Sequence, residues 1–547
     1  MGPKQIGSES ATGEFSQYIA APQEKASKEL LSPSQHKTIA SKHVTPSINL
    51  DQVTIDPEAV KLLTFDKARQ YKVLPLNCSG ECLKLAMVDP EDLGVIEDVA
   101  LLTGMKVDPV MIGEAELDEA LQHYSLLAVD TCLEDAIHSL HREMAFAGPG
   151  IAYDDETPDL AGDPLVRLVE SFLTQAVTIG ASDIHIEPLE QRLRIRMRID
   201  GDLTETASLP LRATSPIVSR LKIISGLDIA EKRLPQDGRL AATIDNRQVS
   251  FRVSTIPSIL GEKMVLRVLD QSRSLFSVDG LGLYGPNRRT FDRLLQRPHG
   301  LVLATGPTGS GKTSTLYAML GQLNRPERNI MTLEDPVEYT LPGITQTQIN
   351  PRVGLTFANG LRSLLRGDPD IIMVGEIRDA ETADLAVHAA LTGHLVLTTL
   401  HTTSAVGTVT RLLDMGIQPL LLASALSGVV SQRLVRSLCP HCREAYILSG
   451  AAAKNLGLTG ESSQFFYRHT GCHLCRGTGY RGRLAIQEVM EVNNQIRDLM
   501  IQGAAEHEIE SAVQSAGMVT LMEDGLEKAG RGITTIEEIL KTLCLRC

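Results

Sequence analysis

The chain has 547 residues, too many for one hydrophobic core, and at roughly 150 residues per domain it should fold as three or four domains. Apolar residues make up 43% and charged residues 22%, which excludes wholesale disorder and a collagen-like fibre. Net charge is −14, with no Trp and only ten Phe and ten Tyr, so non-specific grip on a polyanion is opposed and few rings are available for base stacking.

Residues 1–47 are rich in Ser, Gln, Lys, Thr and Ala without apolar periodicity, and are expected to form a disordered arm. They carry no apolar run ending in a small-residue cleavage site, so a cytoplasmic protein is expected. Residues 48–127 alternate short apolar runs, Tyr71 to Leu76 and Leu83 to Val88, with a helix from Glu114 to Tyr124, as a small α+β domain would. Residues 128–162 contain Gly148-Pro149-Gly150 and Asp154-Asp155-Glu156 and read as an acidic linker.

A second α+β domain is expected over 163–283, opening with a helix from Pro164 to Thr178. In Arg192 to Ile199 strict alternation puts Arg192, Arg194, Arg196 and Arg198 on one face and Leu193, Ile195, Met197 and Ile199 on the other, with Asp200-Gly201 as the turn. The cationic row is either a solvated edge or an interface for an acidic partner or subunit. Another hairpin runs from Arg239 to Thr255 about Asp245-Asn246, followed by a strand from Lys263 to Leu269.

From residue 284 to 547, strands and helices alternate as a parallel sheet with crossover helices requires. The strand Leu301 to Ala304 leads into Gly306-Pro307-Thr308-Gly309-Ser310-Gly311-Lys312-Thr313-Ser314, a complete phosphate loop in strand–loop–helix context. Its backbone N–H groups and helix start suit phosphate oxygens, Lys312 the β and γ phosphates, and the Thr313 hydroxyl Mg²⁺. Hydrolysis also needs acids near the metal and the attacking water, and two strand ends supply them: Glu334, 22 residues after Lys312, and Glu376 after Asp370 to Val374. The strand from His394 to His401 reaches the same sheet edge, making either histidine a candidate γ-phosphate sensor. The segment after Val492 reads as helical, its last helix opening with the capping-box spacing Thr535-x-x-Glu538.

Two pairs, Cys439-Pro440-His441-Cys442 and Cys472-His473-Leu474-Cys475, are separated by 29 residues. Four thiolates at that spacing suit a closed, structural Zn²⁺ site within about 436–485; a redox dithiol is the competing reading.

Taken together, Gly306 to Thr313, Thr332 to Glu338, Val374 to Asp379 and Thr392 to Thr402 resemble the Walker A, Asp box, Walker B and His box of the secretion ATPase superfamily. Ala181 to Pro188, Arg233 to Arg239 and the four cysteines resemble it too. Within it, the cysteines and the extra N-terminal domain resemble the type II secretion and type IV pilus assembly ATPases. The resemblance implies a RecA-like ATPase domain preceded by a PAS-like α+β domain and a small docking domain. It implies a homo-hexamer in the cytoplasm, peripheral to the inner membrane, using ATP, Mg²⁺ and Zn²⁺. Such a motor drives pilus or pseudopilus assembly through an inner-membrane platform protein, docks by its first domain on a membrane-anchored protein, and has no nucleic-acid partner. Carried over position by position, Glu376 is the general base or water-positioning acid, Glu334 the acid near Mg²⁺ and His401 a sensor, and Arg252 and Arg267 approach the nucleotide from the preceding domain. Some relatives bind cyclic di-GMP with a similar first domain, but the repeated Arg-Leu-Gly and Leu-Gln motif of those binders is not present here. The competing classes are a RecA-like nucleic-acid translocase and a non-hydrolysing, nucleotide-gated scaffold.

Overall fold

The computed structural model describes residues 55–146, 163–270, 277–448, 456 and 465–544; the expected arm 1–47 and most of the Gly/Pro/Asp-rich stretch lie outside them. Three units follow one another. The first holds α1 (Pro57–Leu62), α2 (Phe65–Tyr71), β1 (Val73–Ser79), β2 (Cys82–Met87), α3 (Leu93–Thr103), β3 (Lys106–Met111) and α4 (Glu114–Phe146). Its three strands lie in the order β1-β2-β3. Leu74, Leu76, Leu83 and Leu85 pack with Leu117, Leu121 and Tyr124 of α4 into one core.

Helix α4 does not stop near residue 127, and the first part of the expected linker is helical. Leu133, Ala136 and Leu140 recur at helical spacing and join the core of the second unit, so the helix is rooted at both ends.

The second unit comprises α5 (Asp163–Thr178), β4 (Asp183–Pro188), β5 (Arg192–Ile199), β6 (Asp202–Pro210), α6 (Thr214–Ile224), β7 (Gln236–Ile244), β8 (Arg247–Ser258) and β9 (Gly261–Asp270). Its six strands run antiparallel in the order β6-β5-β4-β9-β8-β7, and the buried residues of α5 and α6 join the core formed on the sheet. Period-2 alternation in β5 is realised, with Leu193, Ile195 and Met197 fully buried. The arginine face is not left for an acidic partner. Arg194 and Arg196 both bind Glu187 on β4 at 2.9 Å, Arg192 binds Glu205 on β6 at 2.9 Å, and Arg198 lies 3.7 Å from Asp183. Burial would push the Glu187 carboxyl up, but Arg196, Lys263 and Arg194 outweigh it and hold it at about 2.

The third unit contains α7 (Gly285–Leu295), β10 (Gly300–Thr305), α8 (Lys312–Leu323), β11 (Ile330–Glu334), β12 (Thr345–Gln348), α9 (Phe357–Leu364), β13 (Ile371–Val374), α10 (Ala380–Leu391) and β14 (Leu395–Leu400). It continues with α11 (Ala405–Asp414), α12 (Pro419–Ala425), β15 (Leu426–Leu438), β16 (Arg443–Ile447), β17 (Phe465–His469) and β18 (Tyr480–Glu491). The last helices are α13 (Asn494–Gln502), α14 (Glu506–Ser515), α15 (Leu521–Gly530) and α16 (Ile536–Cys544). Its seven-stranded sheet has the order β12-β11-β13-β14-β10-β15-β18, all parallel except β18. Alternate residues of the central strand serve opposite layers: Leu301 and Leu303 in one core, Val302 and Ala304 in the other. Burial on both faces is why these strands read as continuous apolar runs.

The final helix keeps half of its expected capping box. Thr535 Oγ1 accepts from Glu538 N at 3.2 Å, but the Glu538 carboxylate turns to Arg436. Arg436 also reaches Asp202 at 2.9 Å, and Asp200 accepts from Gly482 N at 2.9 Å, so the β5–β6 turn is seated on the third unit. Among the described residues no helix is long and apolar enough to cross a membrane.

Candidate nucleotide site and cysteine cluster

All six residues of β10 are buried, which fixes where the chain leaves the sheet and enters α8. Gly306, Gly309 and Gly311 take φ of 145°, 77° and 89°, values that side-chain-bearing residues rarely adopt. A Cβ on Gly306 would stand 2.5 Å from the Gln432 carbonyl oxygen, so the loop closes against β15 only because that position lacks one. Gln432 braces the loop: its Nε2 donates to Ser310 O at 2.7 Å and its Oε1 accepts from Thr315 Oγ1 at 2.7 Å.

Lys312 Nζ donates to the carbonyls of Gly306 and Pro307 at 2.9 and 3.0 Å and lies 3.5 Å from His401 Nδ1. Burial pushes this ammonium down to about 8, with Glu376 opposing and Arg433 reinforcing the shift. The ring of His401 continues toward Glu376, whose Oε2 is 3.4 Å from Nε2. Lys312, His401 and Glu376 therefore form one chain of contacts across three neighbouring strand ends. Arg378 donates from Nε to Glu376 Oε1 at 2.8 Å and also through Nη2.

Glu334 is buried, and its carboxylate is held by the protein. Oε1 accepts from Thr332 Oγ1 at 2.6 Å and Gln346 Nε2 at 3.0 Å, while Oε2 accepts from the Tyr317 hydroxyl. His394 lies at the other end of β14, its Nδ1 within 2.9 Å of Ala389 O, and is remote from the phosphate loop; of the two candidate histidines only His401 reaches it.

A cleft of about 1020 Å³ opens between the phosphate loop and the second unit, and Glu334, Glu376, His401 and Arg267 line it with the loop. Arg267 donates from Nε to Asp183 at 3.1 Å. Arg252 sits beside it on the next strand, without lining the cleft, and Arg239 sits beside Arg252 on the one after. This three-arginine row faces the third unit: Arg239 Nη2 is 3.4 Å from Gln348 Oε1, and burial pushes the Glu338 carboxyl up against the opposing pull of Arg267, Arg252 and Arg239. Sequence reasoning missed Arg239, although the two-residue turn at Asp245-Asn246 pairs it with Arg252. It also missed Gln432 and Arg433, for which no motif exists; Arg433 is buried, lines the cleft and donates to Thr403 O at 2.5 Å.

The arrangement suits a polyphosphate. Ser310 Oγ is buried with no hydrogen-bond partner among the described residues, the residues that open α8 line the cleft, and Thr313 is exposed.

The four cysteines converge, with all Sγ atoms within 4.8 Å of one another. Cys439–Cys472 and Cys442–Cys475 are 3.8 Å apart and Cys472–Cys475 is 3.7 Å. Zn–S bonds of about 2.3 Å in a tetrahedron place sulfurs roughly 3.8 Å apart, so the donor set fits zinc. Burial would push the Cys475 thiol up, but N–H donation from Cys472 and Gly479 outweighs it and brings it to about 7, while burial drives Cys472 up to about 12. Purified, reduced protein is expected to carry about one zinc per chain by elemental analysis, and a ratio near zero would remove the assignment.

A phosphate loop at the carboxyl edge of a parallel sheet, with acids at two neighbouring strand ends, defines the P-loop nucleoside-triphosphatase class. The family described as "Type II/IV secretion system protein" matches residues 159–541, and an "MshEN domain" matches residues 43–130. Type II secretion system protein E of Dickeya dadantii is 44% identical over 502 residues, covering 90% of this chain and 99% of that protein. The type IV pilus assembly ATPase PilB of Myxococcus xanthus is 42% identical over 507 residues, covering 92% of this chain and 89% of its own. Among solved structures, the Yersinia pseudotuberculosis ATPase DotB shares the fold at 18% identity and TM-score 0.52, covering 69% of this chain and 92% of DotB. The chain belongs to the type II/IV secretion system protein family, as its motifs implied, and is an ATP-hydrolysing enzyme.

Proposed function

We propose that the protein is a homo-hexameric motor that converts ATP hydrolysis into assembly of a pilus or pseudopilus at the inner membrane. The machines named for its relatives, type II secretion and type IV pilus assembly, support this reading. The observation that carries it is the arginine row that a separately folded unit turns toward the third unit, with Arg267 lining the nucleotide cleft. Shutting the cleft would deliver Arg267, followed by Arg252, to the γ-phosphate, so chemistry would depend on a domain movement and the movement on chemistry.

In this scheme the 306–311 loop, Lys312 and Ser314 hold the phosphates, and Thr313 holds Mg²⁺. Mg²⁺ would neutralise charge developing on the bridging oxygen. Glu376 positions the attacking water and accepts its proton, and His401 reports phosphate occupancy to Lys312 and Glu376. Glu334, held by Tyr317, Thr332 and Gln346, would be the acid near Mg²⁺. Cys439, Cys442, Cys472 and Cys475 hold a structural zinc. The N-terminal unit docks to a membrane-anchored protein, the third unit works a membrane platform protein, and contact with the bilayer is indirect.

Arg267→Ala is expected to lower kcat by about 10³-fold while nucleotide affinity stays within a few-fold of wild type. A variant hydrolysing ATP at the wild-type rate would overturn the coupling.

A further inference from the structure

Helix α4 gives its apolar residues to the two cores that root its ends and turns another face away from them. One face is polar: Glu119, Gln122, His123 and Asp130 recur at spacings of three, four, seven and eleven, which places them on a single helical stripe. Each meets the cysteine knuckle or the strand that follows it. Glu119 Oε1 is 2.9 Å from His441 Nδ1, the rings of His123 and His473 stand 4.2 Å apart, Asp130 binds Arg476 at 2.9 Å, and Gln122 Oε1 accepts from Arg481 at 3.2 Å. Asp130 also accepts from Gln175 of α5 at 2.7 Å, so one carboxylate joins all three units.

We propose that the knuckle is a latch for helix α4, holding the N-terminal unit against the motor in this state and freeing it when the contact opens. His441 and His473 sit beside the cysteine ligands, and Arg476 directly follows Cys475, so the positions of these side chains are set by the loops the cysteines close. The contacts are polar, half-exposed and individually weak, unlike the apolar seam that fixes the far end of α4 to α5. A latch needs that combination: enough contacts to select one position, none too strong to release. The partner that this surface fits is therefore the chain's own N-terminal unit, presented by a helix long enough to reach it.

The test is amide hydrogen exchange across residues 119–130 in the full-length, nucleotide-free protein. Arg476→Glu, which sets two like charges against each other at Asp130, is expected to speed exchange in this segment at least about fivefold, and Arg476→Lys to leave it as in wild type. Gln122→Lys, an exposed change on the helix opposite Arg481, is expected to act like Arg476→Glu without touching the knuckle. Elemental analysis of the variants shows whether the knuckle is intact. Wild-type exchange in both Arg476→Glu and Gln122→Lys would overturn the proposal, as would equal acceleration by Arg476→Lys and Arg476→Glu.

Discussion

Glu376→Gln should bind ATP as tightly as the native protein and hydrolyse it 10²- to 10⁴-fold more slowly, about the range that a positioned general base contributes. The side chain stands just past the end of β13, where Gly375 donates its N–H to Leu333 O at 2.7 Å and its carbonyl accepts from Thr399 Oγ1 at 2.8 Å. Glutamine keeps the volume and can still accept from Arg378 and face His401, so the sheet edge should not rearrange. What disappears is the negative charge and the capacity to take a proton. Single-turnover hydrolysis beside equilibrium ATP binding separates these effects. Equal turnover in the variant would mean that hydrolysis uses another base, with Glu334 the next residue to test.

Lys312→Ala should have the larger effect on binding, and hydrolysis should fall by at least about 10²- to 10³-fold, the cost of one preorganised donor to developing charge. The lysine is already desolvated and braced on the Gly306 and Pro307 carbonyls, so its ammonium waits for phosphate without further reorganisation. Burial, with Arg433 adding to it, holds its ionisation near pH 8. The sign of the pH dependence follows. Below about pH 8 the group is charged before nucleotide arrives; above it the group is largely neutral, and an incoming polyanion must draw a proton from solvent. Affinity should therefore decline by up to roughly tenfold per pH unit as pH rises above 8 toward the ordinary lysine value. Calorimetry at pH 8.5 in buffers of different ionisation enthalpy should detect proton uptake in the native protein and none from this residue in Lys312→Ala. Undiminished hydrolysis in the variant would refute the site assignment.

The phosphate loop was legible because its chemistry is local: glycines at fixed offsets, one lysine, and a buried strand before them. The four cysteines were legible for the same reason, even across 29 intervening residues. The strand β5 and its turn matched residue for residue because alternation sets the buried face and Asp-Gly the turn, although the β5–β6 pairing shifts by one residue between Ile195 and Arg196. Pairings made at a distance were not visible. Nothing in Arg192 to Arg198 announces that Glu187, Glu205 and Asp183 on adjacent strands neutralise the row, since that depends on the register of three strands at once. Gln432 carries no motif, and its importance comes from a parallel neighbour more than a hundred residues downstream of the loop it braces. The continuation of α4 was hidden because Leu133, Ala136 and Leu140 are sparse among charged residues and become a stripe only once α5 is packed against them.

Helix α4 is 33 residues long, about 50 Å at 1.5 Å per residue. One end is buried in the N-terminal core and the other packs on α5 in the core of the unit whose sheet carries Arg239, Arg252 and Arg267. A stiff rod so anchored would act as a lever: tension applied to the first unit would tilt the platform bearing those guanidinium groups. Under the proposed function, load on the filament under construction would thereby gain a route to the rate at which fuel is burned, through rigid leverage and without a second binding site.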